Sequence, residues 1–359
     1  MMQQGQDYAP VMTPTKPVCA PGEFVIAAAF ADHGHLFGMV SNLLAAGATL
    51  GYVYEPDEAK ASKLLALDPV AKRVETFDAI LQAPDVRLVA AAAIPNLRAA
   101  VGIRVLQADK DYFTDKCPFT TLDQLETVRQ VVASTGRKYS VCYSERVQNE
   151  AAEHARFLIE QGAIGRVLQV IGLGPHRLSV NHRPEWFFSK AAYGGILCDL
   201  ASHQVEQFLT YTGNEDAAIS MARVANLANP GHPELEDFGE VSLVGDNAAS
   251  AYCRVDWFTP GGLRTWGDGR TLITGTEGMI ECRKYVDLAR SEWVDNTVLL
   301  VNDTGEHRQR VTGKVGFPFF AALILDCLNR TEFAMTQDHT FKAAELSLTA
   351  QVIADEARA

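Results

Sequence analysis

The sequence predicts an α/β protein in two parts: a doubly wound parallel sheet over residues 23–145, then an α/β domain with an open, largely antiparallel sheet over 146–359. Three observations carry that expectation. Up to about residue 145, short apolar runs alternate with amphipathic helical stretches, the pattern of repeated β-α-β units. Beyond it, strands of alternating apolar and polar residues follow one another at hairpin spacing. The length of 359 residues, with 47% hydrophobic and 21% charged, exceeds one ordinary core and suits two.

The first 22 residues are polar and proline-containing, without the Lys/Arg-then-apolar order of a secretion signal, and read as a flexible extension. Order begins with the apolar strand 24–30, the polar turn Ala31-Asp32-His33-Gly34-His35, and a helix from Leu36 with Gly47 as its C-terminal cap. Strand 49–54 ends in Glu55-Pro56-Asp57, which completes a β-α-β unit with a right-handed crossover. Helix 59–66, strand 87–94, helix 96–108, strand 111–114, helix 121–134 and strand 138–143 continue the alternation. After helix 150–161 come strands at 167–173, 218–226, 240–244, 249–257, 270–273, 279–282, 297–301 and 307–311. Two helices, 317–329 and 340–357, close the chain and are free to pack back on the first domain.

Composition excludes several classes. A net charge of −12 spread along the chain repels a phosphate backbone, so nucleic acid is not an expected partner. No apolar run is long enough for a membrane span, and the expected compartment is the cytoplasm. The seven cysteines are scattered with no CxxC pair, which suggests neither a disulfide framework nor a zinc ribbon. His176, His182 and His203 lack compact ligand spacing, so no metal is expected.

A strand, a glycine-bearing turn and a helix offer free N–H groups and a helix dipole to an anion. His33, Gly34 and His35 therefore stand as candidate cofactor ligands, although turn histidines in solvent fit the same residues. Glu55, about 20 residues further on at the second strand end, is placed to hold ribose hydroxyls and to repel a 2′-phosphate. NAD is expected over NADP. Ile94, Pro95 and Asn96 lie at the carboxyl end of a buried strand, where a doubly wound sheet collects its ligand. Lys116, at the next strand end, is a tunable proton-transfer or hydroxyl-orienting group, and also a candidate cofactor contact.

In the second domain Gly194-Gly195 leads into a helix that carries Asp199 and His203 four residues apart, on one face. An imidazole beside a carboxylate suits acid/base work on a hydroxyl; a buried pair that only staples the helix uses the same residues. The loop before it is rich in rings and cations. His176, Arg177, Arg183 and Trp186 read there as substrate-binding, with Asp199, since aromatic faces pack on sugar C–H groups and cations bind hydroxyls or a carboxylate.

These motifs together resemble the glucose–fructose oxidoreductase / inositol dehydrogenase (Gfo/Idh/MocA) family. Asp115-Lys116-Cys117-Pro118 is similar to its Glu-Lys-Pro signature, and Gly194-Gly195 followed by Asp199 and His203 to its second signature. Pro95-Asn96, Ser144-Glu145-Arg146, Gly162-Ala163-Ile164-Gly165 and Gly275-Thr276-Glu277-Gly278 match in order. The resemblance implies a Rossmann domain, NAD, and a homodimer or homotetramer formed through the second sheet. It implies Lys116, Asp199 and His203 as catalytic residues, with Arg146 among the substrate contacts, and a sugar, cyclitol or sugar acid as substrate. A redox-neutral enzyme that borrows the nicotinamide, or a non-catalytic sensor, are the alternatives. Ala29 replaces the first turn glycine, Arg98 the family's frequent histidine, and Cys117 is inserted before Pro118.

Overall fold

The structure, a computed structural model, describes residues 16–290 and 295–358. Of the expected N-terminal extension, residues 1–15 lie outside the described residues. The described remainder is no free arm: Val18 N donates to Ala46 O at 2.9 Å and Gly22 N to Thr49 Oγ1 at 2.9 Å. Gly47, at φ 115°, faces this segment, and a Cβ there would stand 3.1 Å from Pro17.

The chain forms two compact units. One comprises the described residues 16–142 with Gly316–Phe341; the other comprises the described residues of Tyr143–Val315 and of the chain from Lys342. Helix Pro318–Asn329, one of the two closing helices drawn as free to pack back on the first domain, groups with the first unit. Its Phe319 and Phe320 rings meet Phe113 at 5.9 and 6.0 Å. An apolar helix pattern declares that a face must be buried but not on which sheet.

In the first unit β1 (Val25–Ala29), α1 (His35–Ala45), β2 (Thr49–Tyr54), α2 (Glu58–Leu65), β3 (Lys72–Arg73), α3 (Phe77–Gln82), β4 (Val86–Ala91), α4 (Pro95–Gln107), β5 (Asp111–Asp115), α5 (Leu122–Thr135) and β6 (Tyr139–Cys142) alternate. The parallel sheet has the order β3-β2-β1-β4-β5-β6. Chain direction across the sheet reverses at β1 and β4, so their carboxyl ends frame the crevice where such sheets bind ligand. β1 and β5 are buried at every residue, as strands covered on both faces must be. β3 and α3 were not expected, because two exposed residues and a six-residue helix carry no usable period.

The second unit opens with α6 (Ser144–Val147) and α7 (Glu150–Glu160), followed by β7 (Val167–Pro175). After α8 (Lys190–Tyr193) and α9 (Ser202–Thr212) come β8 (Ala217–Ala225), β9 (Phe238–Gly245), β10 (Ser250–Asp256), β11 (Arg270–Gly275), β12 (Gly278–Arg283), β13 (Thr297–Asn302) and β14 (Gly305–Arg310). The eight strands take the order β14-β13-β12-β11-β7-β10-β9-β8. Only the β7–β10 pair is parallel among them. Buried residues alternate with part-exposed ones along β9 and β10, so one face is covered and the other open. α9 packs on β7, α7 on β12 and β13.

Candidate active site

Each unit carries part of the predicted residue set. In the first, α1 starts behind Gly34 at the end of β1, and the His35, Leu36 and Phe37 N–H groups donate to His33 Nδ1, His33 O and Gly34 O at 3.4, 3.4 and 3.3 Å. Glu55, 6% exposed, stands at the end of β2. Its carboxylate accepts from Ala31 N at 2.6 Å and Asp57 N at 2.9 Å, so it braces the turn as well as facing it. Ile94 N donates to the Asp32 carboxylate at 3.3 Å, Pro95 opens α4, and Asn96 O accepts from Gln124 Nε2 at 3.1 Å. A helix terminus that starts at a glycine, a carboxylate at the second strand end and the β4 strand end fit a dinucleotide. Glu55 would hold ribose hydroxyls and the α1 terminus the phosphates.

The turn histidines meet a carboxylate. His33 Nδ1 lies 3.2 Å and His35 Nδ1 3.0 Å from the two oxygens of Asp115, so Nδ1 of both imidazoles faces the β5 strand end. Burial, with His35 beside it, pushes the His33 imidazole well below the usual range. Burial alone would raise Asp115, but His35, Arg98 and His33 outweigh it and hold the carboxyl well below its ordinary value. One ligand atom each of His33, His35 and Asp115 lie within 4.8 Å of one another, close enough to share a cation. Arg98 already lies 3.4 Å from the same carboxylate, which removes the charge a divalent ion would need.

Arg98 is the residue that the sequence marked only as a departure. It is 1% exposed, and its guanidinium donates to Ala93 O at 2.7 Å, to Cys117 O at 3.0 Å and to Lys116 O. One planar fork thereby ties the β4 end to the segment that carries Lys116. Lys116 itself is 5% exposed, its N–H bonds to Asp115 Oδ1 at 2.8 Å, and the Lys116–Cys117 peptide is cis. The inserted Cys117 is buried.

In the second unit Gly194 and Gly195 take φ of 87° and 95°, and a Cβ on Gly195 would fall 2.2 Å from Gln351 Cδ. Only glycine meets both demands. The next N–H groups are satisfied from a distance: Ile196 N by Glu236 at 2.9 Å and Leu197 N by Gln351 at 3.0 Å. Asp199 lies in a π-helical turn, Leu197–Ala201, that runs straight into α9, where His203 is the second residue. The expected single regular helix is thus two different turns, a feature frequent at functional sites. Asp199 is 9% and His203 2% exposed.

His176 follows β7. Its Nδ1 bonds Gly174 O at 3.0 Å, its ring lies 4.3 Å from Trp266 and 5.4 Å from Trp257, and its Nε2 is 3.8 Å from Glu145 Oε1. The Arg183 guanidinium covers Phe187 at 4.4 Å and Trp257 at 4.9 Å, and Trp186 meets Phe187 edge-on at 6.0 Å. Two expected substrate contacts also bind the protein itself. Arg177 donates to Pro260 O at 3.2 Å, Leu263 O and Thr265 O at 2.8 Å, and so holds the 260–265 loop. Arg146 is buried between Glu206 at 2.7 Å and Glu153 at 2.7 Å. Burial lowers it, but the two carboxylates outweigh that and raise the guanidinium above its usual range.

Sequence reasoning missed Glu145, Gln204 and Lys284, all at most 2% exposed. Glu145 Oε2 accepts from Lys284 Nζ at 2.9 Å and Gln204 Nε2 at 3.0 Å. The available signal was indirect: Gly172 and Gly174 alternate along β7, and a Cβ on either would collide with Gln204 at 2.6 and 2.7 Å.

A parallel sheet of Rossmann order with a glycine-started helix at its switch point, joined to a sheet unit bearing a buried Asp/His pair, defines a nucleotide-linked oxidoreductase class. Residues 27–143 match the oxidoreductase family with NAD-binding Rossmann fold, and residues 152–281 match the GFO/IDH/MocA C-terminal domain. The chain belongs to the GFO/IDH/MocA family. It is 25% identical over 152 residues to a D-xylose dehydrogenase of Paenarthrobacter nicotinovorans, covering 41% of this chain and 39% of that protein. It is 28% identical over 144 residues to a levoglucosan dehydrogenase of Pseudarthrobacter phenanthrenivorans, covering 39% and 36%. The chain thus spans under two fifths of the length of these curated relatives. A solved crystal structure of a protein from Erwinia carotovora atroseptica superposes with a TM-score of 0.88 at 47% identity, over 92% of this chain and 98% of that one. A levoglucosan dehydrogenase complexed with NADH and levoglucosan shares the fold, with a TM-score of 0.76 at 16% identity over 94% and 98%. Among the described residues no helix is long and apolar enough to cross a membrane.

Proposed function

We propose that the protein is an NAD(H)-dependent dehydrogenase that oxidises a hydroxyl-bearing carbon of a sugar, cyclitol or sugar acid. The observation that carries the reading is the pair Asp199 and His203, both buried, in successive turns that follow Gly194 and a Gly195 that only glycine can fill. Water exclusion around such a pair strengthens every charge interaction it makes. The rings of Trp257, Trp266 and Trp186, with His176 and Arg183 among them, suit a polyol with apolar C–H faces. The names of the relatives, a D-xylose and a levoglucosan dehydrogenase, support the substrate class.

Lys116 donates a hydrogen bond to the substrate hydroxyl and favours its deprotonation. His203 accepts that proton, and Asp199 orients the hydroxyl and stabilises the imidazolium so formed. NAD, when bound, supplies the hydride acceptor, so the substrate carbon loses one hydride, its oxygen one proton, and a carbonyl remains. Glu55 selects NAD over NADP by repelling a 2′-phosphate. The open face of the second sheet is the surface through which a homodimer or homotetramer forms.

The test is incubation with NAD and a panel of polyols and sugar acids, followed at the NADH absorbance band. Activity with at least one member, lost in Lys116→Ala and His203→Ala, is the expected result. Activity that survives both substitutions overturns the roles. Nicotinamide that stays bound through turnover with no NADH released transfers the reading to a redox-neutral enzyme.

A further inference from the structure

Among buried titratable groups outside the proposed machinery, Glu145 and Lys284 stand apart, at 2% and 0% exposure. Burying two charges is costly unless they serve each other or a third group. Lys284 and Gln204 both bind Oε2 of Glu145, at 2.9 and 3.0 Å. Oε1, equally buried, has no hydrogen-bond partner among the described residues and faces His176 Nε2 at 3.8 Å. Nδ1 of His176 bonds a carbonyl oxygen, which can only accept, so the ring's fixed proton is on Nδ1. Any second proton goes to Nε2, opposite the bare carboxylate oxygen. Gln204, the second ligand of Oε2, is the residue after His203. Gly172 and Gly174 leave the channel along β7 through which it reaches the carboxylate.

We propose that Glu145, clamped by Lys284 and Gln204, is a positioning residue of the proton-transfer site: its Oε1 sets the charge state of His176, and its grip on Gln204 fixes the helical turn that carries His203. The inference deepens the proposed function and rests on it for its catalytic meaning. The charged neighbours are few. Lys284 comes from the end of β12, His203 from α9 and His176 from the end of β7, while Asp199 sits one turn before His203. Arg146, next in sequence to Glu145, is closed off by Glu153 and Glu206. Burial would raise the Glu145 carboxyl, but Lys284, His203 and His176 outweigh it and bring it down to about 2, so it is an anion whenever the imidazoles titrate.

The experiment is a pH titration of the histidine Cε1–H resonances by nuclear magnetic resonance on the whole protein, in wild type and Glu145→Gln, with His176→Asn and His203→Asn for assignment. Loss of the anion should lower the midpoint of His176 by at least about one pH unit. If Glu145→Gln alone fails to fold because Lys284 is left uncompensated, the double variant Glu145→Gln/Lys284→Met removes both charges and should move His176 in the same direction by less. Midpoints unchanged within about 0.3 unit in whichever variant folds overturn the proposal. The acid limb of kcat/KM should follow the same shift. A shifted titration in a protein that oxidises nothing on the panel would retire the proposed function and leave this inference standing.

Discussion

Replacing Arg146 with methionine separates a structural role from a substrate-binding one. The guanidinium is 6% exposed, and the carboxylates it holds, Glu153 and Glu206, are 2% and 0% exposed. Arg156 also reaches Glu153 at 2.9 Å and Thr210 reaches Glu206 at 3.0 Å, so neither acid is wholly abandoned by the change. Removing one partner of a buried ionic set leaves charge without compensation, which costs about 3–5 kcal/mol. For a unit of this size each kcal/mol moves Tm by about 2–4 °C, so the expected loss is roughly 6–20 °C by scanning calorimetry. The triple variant Arg146→Met/Glu153→Gln/Glu206→Gln, which takes away the stranded charges too, should recover most of it. A Tm within about 2 °C of wild type, with KM for an active substrate raised tenfold or more, would refute the structural account and return Arg146 to the substrate.

Gly195→Ala forces a side chain onto a φ of 95° with Gln351 at 2.2 Å; strain and overpacking together should cost about 2–4 kcal/mol and abolish turnover, whereas Gly162→Ala, open to solvent on all sides at φ 75°, should cost about 1 kcal/mol, both read by chemical denaturation. Acid stability has a worked sign. The Glu145 carboxyl is depressed from 4.5 to about 2, so its contribution, about 3 kcal/mol, is complete above pH 4.5 and is lost as pH falls toward 2. Glu145→Gln should therefore flatten the dependence of unfolding free energy on pH between those limits; an unchanged slope would show that other carboxylates carry it.

Much of the architecture was legible because it rests on period and punctuation. The buried runs at β1, β4 and β5, the helices between them and the alternating strands after α7 declare their type within ten residues, since the spacing of apolar positions is a local property. The Gly194-Gly195 pair likewise announced a turn that needs positive φ. Partnership was not legible. Arg146, Arg177 and the turn histidines carry the residue types of a binding site, and sequence alone had no means of knowing that Glu206, Thr265 or Asp115 would reach them first. The same holds for Glu145 and Lys284, 139 residues apart yet joined in one buried ion pair.

What the sequence by itself determined was the set of elements, the doubly wound order they favour, and the positions of Lys116, Asp199 and His203 at a strand end and in successive helical turns. Only the tertiary structure decided which charges are spent on the protein itself. Coulomb energy and desolvation depend on distance and burial in three dimensions, and neither quantity is a function of separation along the chain.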